Sequence, residues 1–93
     1  MESYYQEAIK LRSEGARLTQ EQKIFVLIYG RAIQGLKTPL PMILDLRIAN
    51  HTARLTALHK KFPGAIKNEK KLVGQDYHSE YWIDVPCQLS IAV

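Results

Sequence analysis

The sequence predicts a small α+β domain with helices first and a β-hairpin last. Three observations predict it. Up to residue 62, apolar side chains recur at spacings of three and four, between residues that cap helices and residues that stop them. After Gly64 the period falls to two: Tyr81, Ile83 and Val85 alternate against Glu80, Trp82 and Asp84. A turn, Gly74-Gln75-Asp76, separates two such runs.

The totals set the frame. A chain of 93 residues with 46% hydrophobic side chains can bury one modest core, as a single domain. No apolar run is long enough for a membrane span, so no membrane partner is expected. The opening Met-Glu-Ser-Tyr-Tyr-Gln-Glu lacks the basic start and apolar stretch of a secretory signal. One cysteine, Cys87, excludes an internal disulfide and fits a reducing compartment; the expected location is cytoplasmic.

Taken in order, Ser3 is expected to cap a first helix over residues 4–14, stopped by Gly15. Tyr4, Ala8, Leu11 and Ile9 would form its stripe, with Tyr5 at the edge. Thr19 and Gln22 have the spacing of a capping box, so a second helix should span residues 20–34 and end at Gly35. Its middle is apolar nearly all round, which predicts a central helix with Ile24, Leu27, Ile28 and Ile33 in the core. Thr38-Pro39 reads as the cap and first position of a short helix over 39–46, with Met42, Ile43 and Leu46 inward. Arg47-Ile48-Ala49 then makes a turn, and Asn50 caps a helix over 50–61 that Pro63-Gly64 ends. Strands are expected over 65–72 and 77–85, with Pro86 ending the second.

Residues 46–58 are the organising stretch. At 100° per residue, Ile48, Leu55, Leu58 and Phe62 fall in one sector. Asn50, Ala53, Ala57, Lys60 and Lys61 fall opposite, with Arg54 at their edge. One face can pack while the other presents small and basic side chains, as a helix entering a DNA major groove requires. Charge is concentrated in the same region. Residues 47–71 hold seven bases and one acid, +6; the remaining six bases and eight acids give −2. A basic block on a helix-turn-helix pattern points to a polyanion.

Helices followed by a hairpin make the winged helix-turn-helix arrangement. Arg54-Leu55-Thr56-Ala57-Leu58 is similar to a run in small winged-helix proteins of bacteriophages and mobile elements. Lys60-Lys61, Ile66 and Tyr81-Trp82-Ile83 fill the basic, isoleucine and aromatic-strand places that follow. The resemblance covers residues 19–85 and implies double-stranded DNA binding, with the second helix in the major groove and the hairpin wing near phosphate. The implied role is a regulator of transcription, replication or recombination. On that plan residues 1–17 are a docking helix, 19–62 the helical core, 65–85 the wing and 86–93 a tail. The chain departs from the pattern at Arg47, where such motifs often have glycine, and at Phe62-Pro63-Gly64, which replaces a simple glycine stop.

The candidate DNA-binding residues are Arg47, Asn50, Ala53, Arg54, Ala57, Lys60, Lys61, Lys67, Lys70 and Lys71. Arg54 can fork onto guanine or phosphate, or pair within the chain with Asp45. Asn50 has cap enough to explain it, and Thr52 and Thr56 offer hydroxyls from the flanks. The lysines suit phosphates, with Lys67, Lys70 and Lys71 as the wing contribution. His51, His59 and His78 lack metal-site spacing, so neither metal nor cofactor is expected. Ser79 beside His78, or Cys87 with a histidine, would need an orienting third group, and an enzyme is not expected. The alternative reading is a protein-interaction module on the same scaffold, using Trp82 or the tail. Trp82 is expected to pack under the first helix; an exposed tryptophan would favour the alternative. A homodimer is left open.

Overall fold

Helix α2 (Gln20–Ile33) starts at the expected capping box. The Thr19 hydroxyl accepts from the Gln22 amide at 3.1 Å, and the Gln22 side-chain oxygen accepts from the Thr19 amide at 2.9 Å. Ile24, Phe25 and Ile28 are completely buried, and Tyr29 and Ala32 nearly so. Leu27 and Ile33, expected in the core, are only partly buried and pack at its margin. The helix ends in a Schellman motif, in which the Gly35 amide donates to the Ala32 carbonyl and the Leu36 amide to Arg31. Gly35 takes φ 77°, where a β-carbon would be strained.

The computed structural model of the chain describes residues 1–85, so the tail (86–93), Pro86 and Cys87 lie outside the described residues. Within them four helices and a three-stranded antiparallel sheet form an α+β domain. Helix α1 (Glu2–Ser13) precedes α2; strand β1 (Thr38–Pro39), helices α3 (Leu40–Leu44) and α4 (His51–Lys61), and strands β2 (Ile66–Val73) and β3 (Asp76–Ile83) follow. The strand order is β1-β3-β2. The core lies between the sheet and the helices, where Tyr81, Ile83 and Ile66 meet α2 and α4. Among the described residues no helix is long and apolar enough to cross a membrane.

Helix α1 begins earlier than expected. Ser3 lies within its first turn, the N-cap is Met1, and no side chain caps it. A helix of 12 residues without a side-chain N-cap is weak alone, so its position depends on docking. Tyr4 supplies the dock by meeting Phe25 edge-on at 4.8 Å and Phe62 at 5.4 Å between ring centroids. Tyr5, at the edge of that stripe, lies against Tyr29 at 4.6 Å between ring centroids. Gly30 lies beside it, where a β-carbon would meet the Tyr5 hydroxyl at 3.4 Å, an ordinary contact distance.

Thr38 and Pro39 form a strand, and Pro39, not Thr38, takes the N-cap position of the helix that follows, without a side-chain cap bond. The two residues pair with Tyr81 and Glu80 of β3. The Arg31 guanidinium donates two hydrogen bonds to the Lys37 carbonyl, at 3.2 and 3.0 Å, and so fixes the chain just before β1. Pro39 has no N–H to continue a ladder, which keeps the strand to two residues. Helix α3 starts directly after it, with Pro41 in the first turn. Ile43 is its buried residue, and Met42 and Leu46 are partly exposed.

Thr38 is buried completely, and its hydroxyl has no hydrogen-bond partner among the described residues. A buried hydroxyl without a partner keeps its desolvation cost. Thr38→Val should therefore raise stability by about 1 kcal/mol, or roughly 4–8 °C in Tm for a domain of this size. Thr38→Ser, which keeps the hydroxyl and removes a core methyl, should lower it. Thermal unfolding followed by circular dichroism checks the pair; a lower Tm for the valine variant would mean the hydroxyl is satisfied.

Candidate nucleic-acid interface

The turn between α3 and α4 aims α4. Arg47 takes φ 55° and Asn50 φ 57°, both left-handed. Arg47 thus adopts the conformation glycine usually supplies in such turns. Between them Ile48 is buried and pins the turn to the core. Asn50 holds the N-cap position but makes no side-chain cap bond, contrary to expectation. A left-handed cap points its side chain away from the first-turn amides; asparagine is tolerated there because it accepts αL backbone.

Helix α4 buries Leu55 and Leu58. On the other side Ala53 and Lys60 are exposed and Ala57 is partly exposed, as the helical period requires. Arg54 is exposed, and no hydrogen bond or ion pair ties its side chain among the described residues. The Asp45 pairing does not form. Thr56 spends its hydroxyl on the Thr52 carbonyl at 3.0 Å. Helix α4 has no acid in its first turn, whereas His59, Lys60 and Lys61 crowd its last.

Charge pairing divides the lysines. Lys61 binds Glu21 at 3.2 Å and lies 4.6 Å over the Tyr4 ring. It is a strut between α4, α2 and α1. Lys67 pairs with Asp84 at 3.6 Å. Arg47, Arg54, Lys60, Lys70 and Lys71 are exposed and in none of the ion pairs among the described residues. Sequence reasoning missed Glu21 and Asp84 as neutralising partners; both are distant in sequence, and only the fold brings them near.

The hairpin divides them again. Val73 pairs with Asp76, which leaves Gly74-Gln75 as a two-residue turn with Gly74 at φ 65°. Strand alternation places Lys70, with its neighbour Ser79, on the sheet face that carries Ile66 and Tyr81. Lys67 and Lys71 share the other face with Trp82 and His78. The hairpin lysines are therefore not one patch. Trp82 is half-buried, with the Lys37 ammonium 4.4 Å over its ring. It does not pack under α1, whose aromatic side chains are taken by α2 and Phe62.

Burial pushes the Tyr4 hydroxyl up to about 12, assisted by the Glu21 carboxylate that accepts its hydrogen bond at 3.3 Å. Burial also raises Tyr29. Both tyrosines are structural. Among the described residues no three His, Cys, Asp or Glu side chains are placed to hold a metal ion. The chain matches no protein-family model, no curated protein and no solved structure.

Two measurements test this geometry. Asn50→Gly should leave stability within about 0.5 kcal/mol, while Asn50→Thr, a good cap but β-branched, should cost about 1–2 kcal/mol in αL backbone. Denaturant midpoints decide it, and a threonine variant as stable as wild type would restore the side-chain cap. Tyr4 is neutral in the fold up to about pH 12 but ionises near 10.0 when unfolded. Its contribution to stability is thus intact below pH 10.0 and lost as pH rises from there through about 12. Tyr4→Phe should flatten the alkaline fall in Tm over that interval, leaving the part due to Tyr29. An unchanged slope would place the alkaline loss elsewhere.

Proposed function

We propose that the chain is a winged helix-turn-helix protein that binds double-stranded DNA, with α4 in the major groove and the β2–β3 hairpin as a wing on phosphate. One observation carries the reading. The outward side of α4 presents Ala53 and Ala57 beside Arg54 and Lys60, while Leu55 and Leu58 lock its inner side. Two alanines let the helix approach base edges, and an unpaired arginine beside them can donate a bidentate contact to guanine. Arg47 and Lys60 hold phosphates beside α4, and Lys70 and Lys71 reach phosphates from the two sides of the hairpin. Asn50 lies at the helix end nearest the turn, within the same footprint. Lys61 belongs to the scaffold more than to the DNA, while the pair of Lys67 with Asp84 is an exposed one. The reading has no catalytic step and needs no metal or cofactor. By the resemblance of its Arg54–Leu58 run, the protein acts by occupying a site, as a small regulator from a phage or mobile element working in the cytoplasm. Whether it pairs into a homodimer sets half-site spacing, not the contact chemistry.

Binding to a random duplex of about 30 base pairs, followed by fluorescence anisotropy across a salt series, tests the reading first. Four free phosphate contacts predict a slope of log K against log salt of about −4. Arg54→Ala should cost about 1–3 kcal/mol at a selected site and flatten sequence preference. Lys61→Ala should lower Tm slightly and leave the slope nearly unchanged, because its charge is already engaged. Absence of binding at low salt would overturn the DNA reading and turn attention to a protein partner.

A further inference from the structure

Helix α2 is apolar nearly all round, yet its partners cover only part of it. Val26 and Leu27 are left partly exposed. They form the wall of an open groove of about 510 Å³, floored also by Leu18 and Leu46. Its rim is charged with one sign: Arg12 at the end of α1, Arg17 in the following loop and Lys23 on α2. Among the described residues no acidic side chain lines it. None of the three cations is in an ion pair among the described residues.

We infer that this groove is a docking site for an acidic amphipathic segment of a partner protein, distinct from the α4 face. Apolar floor and cationic rim each specify half of the occupant. The exposed parts of Val26, Leu27 and Leu46 call for aliphatic or aromatic side chains to cover them, which a phosphate backbone does not offer. Arg12, Arg17 and Lys23 need carboxylates, which complement the rim and set orientation. A helix with apolar residues at i, i+3 or i+4, and i+7, and acids on its flanks supplies both. The volume would suit a small molecule, but such sites enclose most of their ligand, and this groove is open. The rim charges also come from three consecutive elements, as suits an extended occupant. The occupant would couple α1 and α2 to the protein it belongs to, leaving the outward side of α4 free.

The test uses the whole chain and a fluorescein-labelled helical peptide of about 15 residues, with leucines at the anchor spacing and glutamates elsewhere. Saturable binding below about 100 µM is expected, weakened at least tenfold in the Arg17→Glu, Lys23→Glu double variant. Both positions are exposed, so the fold should survive, as circular dichroism would show. The double variant should in turn bind the same peptide with lysines for glutamates, an exchange a folding defect does not produce. No binding by wild type, equal binding of the lysine peptide, or saturation by laurate in place of peptide would each overturn the inference. Displacement of the peptide by random duplex would also overturn it, assigning the rim to the nucleic-acid footprint. Because the assay contains no DNA until that last step, its result stands whether or not α4 binds duplex.

Discussion

Helix α2 is the beam on which everything else rests, and its hydrophobic girth is the governing constraint. Ile24, Phe25 and Ile28 are each sealed from water, and α1, α4 and β3 all pack against this helix. Each such side chain contributes about 1.5–3 kcal/mol by leaving water. The weaker elements borrow that stability. Helix α1 has no side-chain N-cap and holds on through Tyr4 and Tyr5, and β1 is too short to stand without the Arg31 clamp and the β3 ladder. The fold is therefore a set of marginal pieces, each stable because α2 presents a surface to it.

The same beam fixes the aim of α4. Leu55 and Leu58 decide which side faces inward, and Ile48 decides where the helix begins. The two left-handed residues around Ile48 cost backbone energy, most at Arg47, where no glycine relieves it. Burial of Ile48 and Leu55 is what holds that backbone in place. The Lys61–Glu21 contact and the Tyr4 ring then brace the far end of α4. Orientation is thus set at both ends by packing, and the exposed side chains are what remains.

Much of this was legible in the sequence. The capping box at Thr19 and Gln22, the glycine stops at 15 and 35, and the alternation of Tyr81 and Ile83 are local signals that need no tertiary knowledge. The outward side of α4 follows from helical period alone. What failed was decided at a distance. Thr38-Pro39 carries a good helix-start signal, but β3 and Arg31 claim it for the sheet. Asn50 is a strong cap residue by type, but the turn geometry turns its side chain away. Trp82 was placed by strand parity on the correct face, yet its neighbour is Lys37, which only the β1–β3 pairing brings there. Residue type states a preference; a partner elsewhere in the chain decides whether it is used.

The charge distribution makes the same point for function. The block of residues 47–71 carries a formal +6, but that count treats every lysine alike. The fold removes Lys61 and Lys67 to ion pairs and separates Lys70 from Lys71 across the hairpin. What projects freely is a smaller set, centred on α4 and its preceding turn. Meanwhile Arg12, Arg17 and Lys23, scattered among acids in the sequence and contributing nothing to the block, converge around an apolar floor. A net charge describes how strongly a chain is drawn to polyanions. Which polyanion is met, and by which surface, depends on the unpaired charges and on what lies between them: alanines on α4, leucines in the groove. Those two settings differ chemically: one basic surface is built on small side chains and the other on an apolar floor.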